Sequence, residues 1–98
     1  MKNEIGLTIE LTGIASSIAG AREIELSVPM TATYNDVVEQ LADLYPQLVG
    51  ILIEDDRRNF LSSNLFIIND QMTLPVFEMG QKPQDGDKLS LLSVMTGG

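Results

Sequence analysis

The sequence has 98 residues, with 14 acidic against 6 basic side chains, a formal net charge of -8, and neither cysteine nor histidine. A chain of this length holds one domain and no second core, and its charge argues against a nucleic-acid surface and favours a soluble protein drawn to basic partners. Without Cys or His, disulfides, Cys-based metal and iron–sulfur sites, a Cys nucleophile and a Ser-His-Asp triad are excluded together.

The first stretch, "MKNEIGLTIELTG", carries acidic residues where a secretory leader needs an unbroken apolar run, so a cytoplasmic protein is expected. No apolar run approaches membrane-spanning length. Ile5, Leu7, Ile9 and Leu11 alternate with Gly6, Thr8 and Glu10, the period-two pattern of a half-buried strand. "GIASSIAGA" breaks that pattern with Gly13, Gly20 and small residues. Its length exceeds a tight two-residue turn, and it is expected as a loop, either mobile or part of a contact surface. Ile24, Leu26 and Val28 then alternate with Glu23, Glu25 and Ser27 as a second strand, which Pro29 ends.

Within "TATYNDVVEQLADLYPQL", Val37, Leu41, Leu44 and Leu48 fall on one helical face, widened by Val38 and Tyr45. Thr33 and Asp36 stand where an N-cap and a weaker form of the capping box belong. Pro46 disfavours the α conformation at Tyr45, so the helix is expected at about 34 to 45. "ILIEDDRRNFLSS" reads as a loop or short edge element, and "NLFIIN", apolar on both faces, as a buried strand. Pro75, Gly80 and Pro83 make "TLPVFEMGQKPQ" an irregular connection, "QDGD" is a turn, and "KLSLLSV" reads as a central strand covered on both faces.

The order of elements predicts an α+β domain. Because connections avoid threading, the last strand pairs with the first only by running parallel to it. That arrangement is a ubiquitin-like β-grasp, a mixed sheet of four to five strands packed on one main helix. Residues 1–94 form the domain and 95–98 a flexible tail.

Few residues point to chemistry. Asp55 and Asp56 beside Arg57 and Arg58 make a solvated charged loop, because a hard-cation site needs several converging oxygens. Asp85-Gly86-Asp87 lacks the remaining positions of a calcium loop, and "GIASSIAG" lacks the Lys-Ser/Thr of a phosphate loop. No metal site, bound cofactor or stand-alone enzyme is expected. What remains is the terminal Gly97-Gly98. Glycine has no Cβ, so the pair can enter a narrow channel, and from Met95 to Gly98 the extended reach is ~13–14 Å. A carboxylate there becomes an acyl donor only after activation, for instance as an acyl-adenylate, and a partner enzyme must supply the ATP site.

Four segments in order, "REIEL", "TATYNDVVEQLADLYPQL", "FIINDQ" and "DGDKLSLLSVMTGG", resemble the MoaD/ThiS family of sulfur carriers over nearly the whole chain. The resemblance implies that Gly98 is adenylated by a ubiquitin-activating-like adenylyltransferase and converted to a thiocarboxylate. In the molybdopterin branch, favoured over the thiamine branch by length, the tail then enters the molybdopterin synthase large subunit and gives its sulfur to a cyclic pyranopterin precursor. The chain would be the small subunit of that sulfurtransferase complex. Gly97 is implied as the flexible penultimate residue and Thr96 and Met95 as tail contacts. Leu91, Leu92 and Val94 are implied at the partner interface, with at least one of them expected in the core. Where many family members carry Pro-Pro before the tail, this chain has Ser93-Val94, which leaves the tail more pliable or able to extend the last strand. The alternatives are a thiamine-type carrier, a modifier joined to protein lysines through Gly98, and a plain interaction module.

Overall fold

A computed structural model describes residues 3–61, 64–68 and 79–93. Along the chain these residues form β1 (Glu4–Leu11), α1 (Gly13–Ala19), β2 (Glu23–Pro29), α2 (Tyr34–Leu44), a short 3-10 turn (Pro46–Leu48), β3 (Asn64–Ile68) and β4 (Lys88–Ser93). The sheet order is β2-β1-β4-β3. β1 pairs antiparallel with β2 and parallel with β4, and β3 pairs antiparallel with β4, so the last strand lies beside the first as its expected parallel neighbour.

The alternation in β1 sends Leu7, Ile9 and Leu11 to one face, where they meet Leu26 and Val28 of β2 and Leu89 and Leu91 of β4, all buried. α2 covers this face with Tyr34, Val37, Val38, Leu41 and Ala42. Each large side chain removed from water here contributes roughly 1.5–3 kcal/mol. Leu44 departs from the expected stripe and is 53% exposed. At 100° per residue the buried arc is centred between Val37 and Val38, which leaves Leu44 at its rim beside Gln40.

The ends of α2 follow local chemistry. The Asp36 carboxylate accepts the Thr33 N–H at 2.9 Å, and the Thr33 hydroxyl accepts the Asp36 N–H at 3.4 Å, the expected capping box with Asp in the place of the usual Glu. The N–H groups of Tyr34 and Asn35 donate to the carbonyls of Gln81 and Met79, so the first turn leaves no orphan donor. At the other end Tyr45 leaves the helix at φ -131°, as Pro46 requires of its predecessor.

The connection between β1 and β2 is a helix, not the expected loop. Its glycines mark the helix boundaries: Gly13 opens it at φ 57°, and Gly20 closes it at φ 71°, donating its N–H to Ser16 O. Ala15 is fully buried, and the small side chains let α1 sit against the core beside the 3-10 turn. The charged segment is a loop fixed by isolated bridges from Ile53 to Val49 and Phe60. Asp56 accepts the N–H groups of Arg58 and Asn59, and these bonds hold its carboxyl below the usual carboxylate range. Arg57 and Arg58 reach back to α2, pairing with Asp43 and with Asp36 and Glu39.

Candidate functional site

The expected site lies where β4 hands the chain to residues 94–98. The described part of that route is the seam between β1 and β4, and side chains close both of its ends. In the parallel ladder Thr8 N–H donates to Asp87 O at 3.0 Å, and such rungs recur at every second residue of β1. One step earlier, Gly6 N–H finds the Asp85 carboxylate at 2.7 Å instead of a carbonyl, while Gly86 N–H donates to Gly6 O. Gly86 sits at φ 88°, so the "QDGD" turn owes its shape to that glycine.

At the far end the next rung falls on Thr12 and Leu91. The chain is already turning into α1 there, and the Thr12 hydroxyl donates to Leu91 O at 3.0 Å. The last carbonyl of the seam is thus held by a side chain from the residue that precedes α1. Because α1 leaves the same end of β1, it stands at the end of the sheet from which β4 exits. Ile14, in its first turn, is 51% exposed.

Leu91 is buried in the core, which meets the expectation that one of the three apolar residues before the tail is structural. Leu92 is placed in β4 opposite Leu65. Ser93 also takes a place in the ladder, opposite Asn64, where a proline would have removed a donor. Val94, Met95, Thr96, Gly97 and Gly98 lie outside the described residues. Sequence reasoning missed Thr12 and α1. The signal for α1 was present in the i, i+4 spacing of Ile14 and Ile18 between two glycines, but nothing local marks Thr12.

The outer face of β1 and β2 is acidic. Glu10 stands opposite Glu23 in the register and is balanced by Lys88 Nζ at 3.2 Å and Ser90 Oγ at 3.0 Å. Burial, followed by the nearby Asp87 charge, pushes the Tyr34 phenol above its ordinary value. Among the described residues no group of three or more Asp or Glu side chains is arranged to hold a metal ion, and no helix is long and apolar enough to cross a membrane.

A mixed sheet with a parallel β1–β4 centre, crossed by one long helix, defines the ubiquitin-like β-grasp class. The model of the ThiS family matches residues 9–98, and the chain belongs to that family of ubiquitin-like sulfur carriers and modifiers. No curated protein sequence matches it. Among solved structures it is similar to SAMP1 from Haloferax volcanii, with 22% identity over 95% of this chain and 99% of that one and a TM-score of 0.78. The HVO 2177 protein of the same organism is 26% identical over 99% and 91% of the two chains, with a TM-score of 0.77. A putative molybdopterin converting factor, subunit 1, from Pyrococcus furiosus is 15% identical over 89% and 94%, with a TM-score of 0.69.

Proposed function

We propose that this protein is a sulfur carrier that works through the carboxylate of Gly98. A ubiquitin-activating-like adenylyltransferase joins that carboxylate to the α-phosphate of ATP and releases pyrophosphate. Hydrosulfide then attacks the acyl carbon, and the C–O bond to AMP breaks, leaving a thiocarboxylate and free AMP. The acceptor is the pyranopterin precursor of molybdopterin, held by the large subunit of the synthase, for which this chain serves as the small subunit. The observation that carries this reading is the course of β4: a central strand, anchored on both sides, that leads directly to the Gly-Gly tail. The family match, which runs through residue 98, supports it, as does the shared fold of the Pyrococcus protein.

A second reading, a modifier joined to lysines through Gly98, is favoured by the similarity to a small archaeal modifier protein. Intact mass of the protein from its native cell separates the two. A chain ending at Gly98 with one oxygen replaced by sulfur supports the carrier. Because Lys88 is the last basic residue, conjugation would leave the tryptic peptide 89–98 on lysines of other proteins. Removal of Gly97 and Gly98 abolishes adenylation in either case. If cofactor level and partner binding survive that truncation, the tail chemistry is not the function.

A further inference from the structure

β2 lies at one edge of the sheet, and the register shows where its backbone points. Met30 N–H donates to Asn3 O and Leu11 N–H to Arg22 O. Hydrogen-bonded pairs in an antiparallel ladder recur at every second residue, so Ile24, Leu26 and Val28 exchange bonds with β1. Glu23, Glu25, Ser27 and Pro29 therefore turn their backbone groups towards the free edge. Part of that edge is closed. Pro29 has no N–H and its carbonyl accepts from Ala32 N–H, while Ser27 O accepts Gln40 Nε2 at 3.3 Å. Among the described residues nothing bonds to either backbone group of Glu23 and Glu25 or to the N–H of Ser27, and all three residues are exposed.

The flanks of this open stretch differ in chemistry. Glu23 and Glu25 project from one face, two residues apart. Lys88 is committed to Glu10, and among the described residues no cation pairs with Glu23 or Glu25. On the other face Gln40 of α2 bonds Ser27, and Leu44, one helical turn further along α2, is exposed at the rim of the helix. An incoming strand would meet the two carboxylates on one side and the exposed Leu44 on the other.

We infer that the edge of β2 from Glu23 to Ser27 binds an extended segment of a partner protein in which lysine or arginine alternates with apolar residues. Its backbone pairs with Glu23, Glu25 and Ser27, its basic side chains face the two carboxylates, and its apolar side chains face Leu44. A second copy of this chain is disfavoured there, because β2 against β2 would set these glutamates against their own counterparts. The inference does not draw on the tail chemistry and holds for a chain lacking Gly97 and Gly98.

The test uses the full chain and a short synthetic peptide of alternating valine and lysine, followed by amide exchange and chemical shifts. Binding is expected to slow exchange at Glu23, Glu25 and Ser27. It should weaken by about tenfold in the Glu23→Lys/Glu25→Lys variant, and vanish when alternate peptide nitrogens are methylated. The double variant should stay folded, since Lys at position 23 faces Glu10 across the strands. Absence of binding, binding without protection of those three amides, or equal binding of the methylated peptide would each overturn the proposal.

Discussion

Replacing Thr12 by valine removes the hydroxyl that donates to Leu91 O but keeps the shape of the side chain. A neutral hydrogen bond contributes about 0.5–1.5 kcal/mol net, whereas a buried carbonyl left without any partner costs about 1–3 kcal/mol. Leu91 is buried but Thr12 is exposed, so water can approach the carbonyl from the Thr12 side. The expected loss is therefore about 1 kcal/mol, which for a domain of this size lowers the melting temperature by roughly 4–8 °C. Thr12→Ser should restore most of it. Amide exchange at residues 91–93 should quicken in the valine variant, while exchange in α2 changes only as far as global stability does. If Thr12→Val melts with the wild type and exchange at 91–93 is unaltered, the hydroxyl does not hold the exit of β4.

Three further outcomes follow from the same geometry. Thr33→Ala should cost about 1 kcal/mol in urea unfolding, and adding Asp36→Asn should cost less than the sum, since both residues belong to one capping box. The Thr33 N–H, followed by the Arg58 guanidinium, holds the Asp36 carboxyl below its ordinary 3.8. Folding thus favours the ionised form, and its stabilisation is full above pH 3.8 and lost as pH falls through the lower folded value. The stability gap between wild type and Asp36→Asn should be constant near neutrality and close in that acidic window. Arg57 sits at φ 62° with an exposed partner in Asp43. Arg57→Gly should be more stable than Arg57→Ala by about 1 kcal/mol in thermal melts, because only the alanine keeps a Cβ in the left-handed region.

What could be anticipated from the chain depended on how local each cause is. The strands of the seam and the face of α2 were visible because their patterns repeat at 2 and 3.6 residues. The parallel partnership of β1 with β4 followed from the order of elements and the avoidance of threading. α1 escaped because Gly13, Ser16, Ser17 and Gly20 read as breakers, whereas both glycines serve as helix ends. Leu44 carries the same apolar signal as Leu41, and only the position of the helix over the sheet tells them apart. Thr12 acts on a carbonyl 79 positions away, a distance at which no pattern in a single sequence speaks.

The pairing of β1 with β4 also governs the order in which the molecule can assemble. Ser90 meets Glu10 across 80 positions of chain, so during synthesis β1 and β2 can close as a hairpin long before their third neighbour has left the ribosome. Until then the N–H groups of Thr8 and Glu10 on the far side of β1 have no ladder partner. Long-range closure of this kind is slow, and chains waiting for it expose an edge that invites foreign strands. The sheet becomes complete only when β4 takes its place between β1 and β3, so the strand that closes the core is also the last to be made.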